Sequence, residues 1–218
     1  MKVAIHQPDL LPYSGFWFKM ATCDALVISA HDQFQKHGYQ RRVAMRGTWC
    51  SHQLVGKPTM VPINTVAVAE GWQRRTVDAI TGRYSASIYF KSRGWELTQR
   101  ILASEGRMLD EVNMAMIEIV REMLGIRTPL ILTEPPKRAA TDRLIEQVQM
   151  VGGSAYLAGQ GGKAYMGQNP EARFAEEGIE LLWADHDPTT SDSIVSVLMD
   201  EPDPMGCLLY TSPSPRDS

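Results

Sequence analysis

Cysteine is scarce in this chain. The three residues, at positions 23, 50 and 207, form no paired framework and no Cys-x-x-Cys. This excludes a disulfide-stapled fold and suits a reducing cytoplasm. Long apolar runs are missing too, so membrane insertion is not expected. The opening residues read as a strand and not as a charged-then-apolar leader, so export is not expected either. There is no large excess of one charge: a formal net charge of −3 excludes a surface that attracts polyanions all over. The histidines at 6, 31, 37, 52 and 186 lack zinc-type spacing. No internal repeat is visible. What remains is 218 residues, 44% of them hydrophobic. That is enough for one α/β domain with a sizeable core.

What is present begins with a short apolar strand, Val3 to Ile5, that runs straight into His6-Gln7-Pro8. Pro8 cannot continue a ladder, and Pro12 suits the first turn of a following helix. His6 and Gln7 are therefore expected at the carboxyl edge of a sheet, where open α/β sheets bind ligands. Pro12 to Ala21 reads as a helix and Leu26 to Ile28 as a buried strand. Residues 30 to 65 read as an excursion with hairpin-like strands near Arg42 to Met45 and Trp49 to Val55. Helical patterns follow at Arg74 to Thr81, Gly94 to Ser104 and Leu109 to Leu124, the last with Val112, Met116, Ile119, Val120 and Met123 on one face. Gly125 suits its C-terminal cap. The second half alternates: strand 130–132, helix 139–151, strand 155–158, helix 172–177, strand 180–183, helix 192–199. The expectation is an α/β fold, a mostly parallel open sheet with helices on both faces, forming a single domain over residues 1–206.

Four places can carry chemistry. His6 can act as a general base or hold a polar ligand, with Gln7 as donor and acceptor beside it; the alternative is a structural histidine bonded to its loop. His31-Asp32-Gln33 follows the second strand and can serve in acid/base work or metal binding, or simply as loop polarity. The segment Lys36 to Arg46 has four cations, Lys36, Arg41, Arg42 and Arg46, and no acid. Its guanidinium groups suit a phosphate or pyrophosphate, and Tyr39 can stack on a base or sugar; the alternative is a solvated loop. Gly159, Gly161 and Gly162, with Lys163, follow a strand and can nest an anion or form a tight turn. This is neither a Walker A loop nor a Rossmann fingerprint. Thr141 and Asp142 suit a helix N-terminus as caps, with Arg143 able to face the site. His186-Asp187 follows the last strand in the same manner. Cys23 reads as a helix-end core residue.

The colinear set His6-Gln7-Pro8, Leu11-Pro12-Tyr13, Gly15-Phe16, Lys19, Asp24 and Asp32-Gln33-Phe34-Gln35-Lys36 resembles the WbqC-like protein family. Further matches are Thr141 to Ile145, Gly153 to Gly159, Gly178-Ile179 and Ser193 to Met199. The resemblance covers roughly residues 1 to 200 and implies a transferase. Members are associated with surface-polysaccharide biosynthesis as glycine or amino-acid transferases. Others are similar to bacteriophage amino acid:DNA transferases, in which an α-amine displaces pyrophosphate from a 5-pyrophosphoryloxymethyl uracil. Read from position and charge together with this resemblance, His6 and Asp32 are the expected catalytic residues, and Gln7, Gln33, Lys36, Tyr39, Arg41, Arg42, Arg143, Gly159, Gly161 and Gly162 the expected substrate-binding ones. The expected partners are glycine or a similar amino acid and a DNA or sugar acceptor, with Mg²⁺ a possible companion of a pyrophosphate substrate. Family members often have an acid where His31 stands. Many carry a Thr-x-Pro type sequence where this chain has Trp49-Cys50-Ser51-His52, which suggests a divergent acceptor, with DNA preferred. A non-catalytic module binding sugar nucleotides or nucleic acid is the alternative from another class. The expectation is that the amino-terminal histidine, Asp32-Gln33 and the late glycine loop share one cleft.

Residues Cys207 to Asp217 resemble the translated end of a transposon used to build sequencing libraries. Residues 207–218 are therefore expected to be a non-native read-through tail; the alternative is a Ser/Pro-rich disordered end.

Overall fold

The computed structural model describes residues 1–186 and 191–209. In chain order the elements are β1 (Lys2–His6), α1 (Ser14–Thr22), β2 (Ala25–Ile28), β3 (Arg42–Met45), β4 (Thr48–Ser51), α2 (Trp72–Tyr84), α3 (Trp95–Leu102) and α4 (Leu109–Met123). They continue with β5 (Leu130–Leu132), α5 (Ala140–Met150), β6 (Ala155–Ala158), α6 (Pro170–Glu176), β7 (Glu180–Trp183), α7 (Ile194–Asp200) and α8 (Pro204–Leu209). Short 3-10 turns occupy 63–65 and 160–164, and a π turn at 90–94 leads into α3. Residues 207–209 close α8; the rest of the expected tail, and Asp187, lie outside the described residues. Among the described residues no helix is long and apolar enough to cross a membrane.

The chain gathers into two compact units, each built from three stretches. The first comprises Met1–Gln7, Phe18–Ser29 and Arg127–Asp185; the second comprises Pro8–Trp17, Ala30–Ile126 and His186 onward.

The first unit holds a five-stranded sheet in the order β5-β2-β1-β6-β7, with every pairing parallel. The α/β reading is correct. Parallel strands buried on both sides carry continuous apolar runs, and β2 and β6 are buried at all four positions. Val3 and Ile5 of β1 join Leu144, Ile145 and Val148 of α5 and Phe174 of α6 in one apolar cluster. Tyr156 stacks on Phe174 with ring centroids 5.3 Å apart. Because side chains alternate along a strand, His6 points away from the face that Ile5 gives to this cluster.

The second unit has the excursion expected between 30 and 65: β3 and β4 form an antiparallel hairpin, Arg42 opposite Ser51 and Ala44 opposite Trp49. Arg46 and Gly47 make its two-residue turn, both with positive φ, 53° and 69°. Paired positive φ values are what a tight hairpin turn of this twist requires. Helices α2, α3 and α4 pack in succession, and α7 packs on α2. Gly125, at φ 69°, follows α4 as its left-handed terminator.

Candidate functional site

In the first unit, β1 ends on His6 and β6 ends just before Gly159. Between them comes Lys19, a lysine of α1 that is only 7% exposed. A methyl group placed on Gly159 would lie 3.9 Å from Lys19 Nζ. The same cation acts on His6. Burial and the Lys19 charge together push the His6 imidazole down to about 3, against the raising effect of its bond to Gln7. That bond, 3.0 Å from Nδ1 to the Gln7 carbonyl, fixes the tautomer: a carbonyl only accepts, so Nδ1 carries the proton and Nε2 the lone pair. Two neighbouring strand ends and one helix thus create a buried ammonium beside a neutral imidazole. A cation and a ring with a lone pair thus lie close together at the end of the sheet.

The glycine loop is less open than the sequence suggests. Gln160 to Ala164 fold as a 3-10 turn whose Gln160 amide donates to the Ala184 carbonyl at 2.8 Å. Gly162 answers a packing need, since a Cβ there would lie 2.8 Å from Met166 Cε and 3.2 Å from Trp183. Gly161 faces open space. Lys163 places its ammonium 5.1 Å from the Trp183 ring centroid. Neither Gly159, Gly161 nor Gly162 has positive φ, so a left-handed turn is not their reason.

Helix α5 corrects another expectation. Its N-cap is Ala139, with no side-chain cap. Thr141 donates to the Met166 carbonyl, and Asp142 instead accepts from Arg173 Nε at 2.9 Å. Arg143, half-buried, lies in the same turn.

The remaining candidates belong to the second unit. Asp32 is buried, and Gln33 donates its amide to the Met60 sulfur. His31 Nδ1 lies 3.2 Å from the Asn64 amide nitrogen. Arg41 Nε donates to the His52 carbonyl at 3.2 Å. Arg42 Nε donates to the His37 carbonyl at 3.0 Å, and its guanidinium sits 4.2 Å from the Trp49 ring centroid. Tyr39 stands 6.3 Å from Trp49, and both rings are about half exposed. Arg46 is committed elsewhere: it pairs with Asp200 at 2.8 Å and covers the Tyr84 ring, so it is not a free phosphate ligand.

His52 requires a further correction. It is 4% exposed and donates from Nε2 to Asn113 Oδ1 at 3.0 Å. Burial pushes it down to about 4. Asn113, fully buried on α4, donates in turn to the Pro8 and Gln40 carbonyls at 2.8 and 2.7 Å. His52 is thus a core residue of its unit and cannot read an acceptor. His186 is bound to the Ser14 hydroxyl at 3.0 Å. Cys23 is a buried free thiol at the end of α1, pushed up to about 11 by burial. Among the described residues no group of three or more His, Cys, Asp or Glu is placed to hold a metal ion.

Sequence reasoning missed two residues. Lys19 was visible as a motif match but has no polar neighbours in sequence to mark it. Asn113 sits inside a helix, where its only signal is a polar residue on an otherwise apolar face.

The WbqC-like protein family matches residues 7–191, opening directly after His6. The chain belongs to this family. Membership points to transferase-type chemistry and no further. The chain is also similar to "Uncharacterized protein Rv1507c" of Mycobacterium tuberculosis (strain ATCC 25618 / H37Rv). The two are 24% identical over 194 residues, spanning 85% of this chain and 83% of that one. No solved structure matches significantly.

Proposed function

We propose that this WbqC-like protein is an amino-acid transferase that joins the α-amine of glycine, or a similar amino acid, to an activated acceptor. The observation that carries this reading is the Lys19–His6 pair at Gly159. A small amino acid brings one carboxylate and one ammonium. The carboxylate suits the Lys19 ammonium, which lies 3.9 Å from where a Cβ at position 159 would stand. His6 Nε2 then takes the proton that the amine must lose to become a nucleophile. Alone, His6 is a weak base, because burial and Lys19 hold it near 3. A carboxylate drawn towards Lys19 would bring its own negative charge beside His6 and so raise the proton affinity of the ring.

The acceptor favoured is pyrophosphorylated 5-hydroxymethyluracil in DNA. There the amine nitrogen bonds to the exocyclic methylene as its bond to oxygen breaks. Pyrophosphate leaves with the electron pair, and the amine proton passes to His6. A sugar of a surface polysaccharide is the other acceptor class. With His52 buried, the DNA preference rests on Lys36, Arg41, Arg42 and Tyr39 alone. A binding role without turnover draws on the same low His6 basicity.

Labelled glycine incubated with pyrophosphorylated hydroxymethyluracil DNA is expected to enter the DNA with release of pyrophosphate. Lys19→Met should raise the KM for glycine about tenfold or more, and His6→Asn should lower kcat about 100-fold. Glycine that binds but reaches neither DNA nor a sugar acceptor would establish the module reading instead.

A further inference from the structure

A loop of the second unit, Leu54 to Val61, turns apolar side chains outward. Val55 is 60% exposed and Met60 is 78% exposed. Gly56, Lys57 and Thr59 between them are exposed as well. Both ends of the loop are pinned. Leu54 bridges Val68, and the Val55 amide donates to the Ala67 carbonyl. At the far end the Phe34 amide donates to the Val61 carbonyl, and Gln33 bridges Pro62. The exposed stretch is thus a tip held at its base.

The backbone at this tip is strained. Met60 has a φ of 57°, in the left-handed region, where glycine would hold the same turn more easily. Burial does not offset that strain, because the methionine is mostly in water. Its sulfur accepts from the Gln33 amide, which is a weak bond. Strain spent on holding an exposed apolar side chain points to a use outside the folded chain itself.

Charge near the tip has one sign. From Gln33 to Ala69 the sequence has no Asp or Glu, although the whole chain holds 25 of them against 22 Lys and Arg. Lys57 is part of the loop. Lys36 and Arg41 border the same hollow as Pro58 and Thr59, and no acid lines it.

We infer that this loop docks the protein on an anionic lipid bilayer. Val55 and Met60 enter the headgroup boundary, and Lys57, with Lys36 and Arg41 behind it, meets the lipid phosphates. A nucleic acid would use the cations but offers nothing to Val55 and Met60. An acidic protein would need a matched hollow for the tip, whereas a fluid surface closes around it. The chain then lies on the membrane, and no described helix is long and apolar enough to span it.

The inference is independent of the transferase reading, which uses neither Val55, Lys57 nor Met60. Float the full chain with vesicles of phosphatidylcholine alone and of phosphatidylcholine mixed with phosphatidylglycerol. The mixed vesicles are expected to carry at least several-fold more protein, and less as salt rises. Val55→Ser with Met60→Ser should cut that binding about tenfold, and Lys57→Gln about fivefold, with unchanged melting temperatures. Met60→Gly should also weaken binding while the melting temperature holds, since glycine accepts the left-handed turn. Equal binding to both vesicle types, or no flotation at low salt, would overturn the assignment. So would salt-sensitive binding that ignores the Val55 and Met60 changes, which is the behaviour of a surface for nucleic acid or an acidic protein.

Discussion

At the scale of single residues, the decisive relation is between Lys19 and His6. The histidine was legible in the sequence because it ends an apolar strand at a proline, which announces a sheet edge. Lys19 was not, because its neighbours Phe18 and Met20 make it look like an ordinary helix position. Only the fold reveals that it is buried at the end of β6. Lys19→Met removes the second of the two effects that depress His6. The His6 ring, followed by NMR titration, should rise from about 3 while staying under its ordinary value, since burial persists. An unaltered titration would mean that the ammonium does not act on the ring.

At the scale of elements, periodicity located nearly every helix and strand. β2 was visible as a run of apolar residues and α4 as apolar positions three and four apart. The hairpin of β3 and β4 was visible in part, as β-like pieces near Arg42 to Met45 and Trp49 to Val55, while its Arg46-Gly47 turn was not. What periodicity cannot show is a tether between distant segments. Asn113 of α4 joins His52, Pro8 and Gln40, partners 61, 105 and 73 residues away along the chain. It therefore holds the loop after His6-Gln7 and the basic segment from one amide. Asn113→Leu keeps the volume but leaves two carbonyls and an imidazole N–H unpaired in a dry interior. Urea unfolding should show a loss of about 3 kcal/mol. A loss under about 0.5 kcal/mol would show that water replaces the amide freely.

At the scale of the whole molecule, each unit carries one histidine held neutral by burial, His6 in the first and His52 in the second. Both have folded-state values below the ordinary 6.5. On acidification the unfolded chain takes up protons first, so stability is full above pH 6.5 and is lost as pH falls towards 4 for His52 and towards 3 for His6. Urea midpoints should decline between pH 6.5 and 5, above the range where carboxylates titrate, by an amount equivalent to about 3 kcal/mol for the two rings together. His52→Gln should flatten part of that decline. A level profile would contradict the burial of both rings. The two-unit arrangement itself was not legible in the sequence. Each unit is assembled from three stretches, and no change of composition marks where the chain leaves one for the other.

The strand order has a consequence for synthesis. β1 lies at the centre of its sheet, yet its two neighbours reach it at very different times: β2 follows within about 25 residues, β6 only after about 150. While a ribosome translates the intervening stretch, one side of the central strand keeps bare amide and carbonyl groups on a strongly apolar ribbon. Nascent chains arrested before residue 155 should therefore depend on chaperones to stay dispersed, and release from that dependence should coincide with the emergence of Ala155 to Ala158.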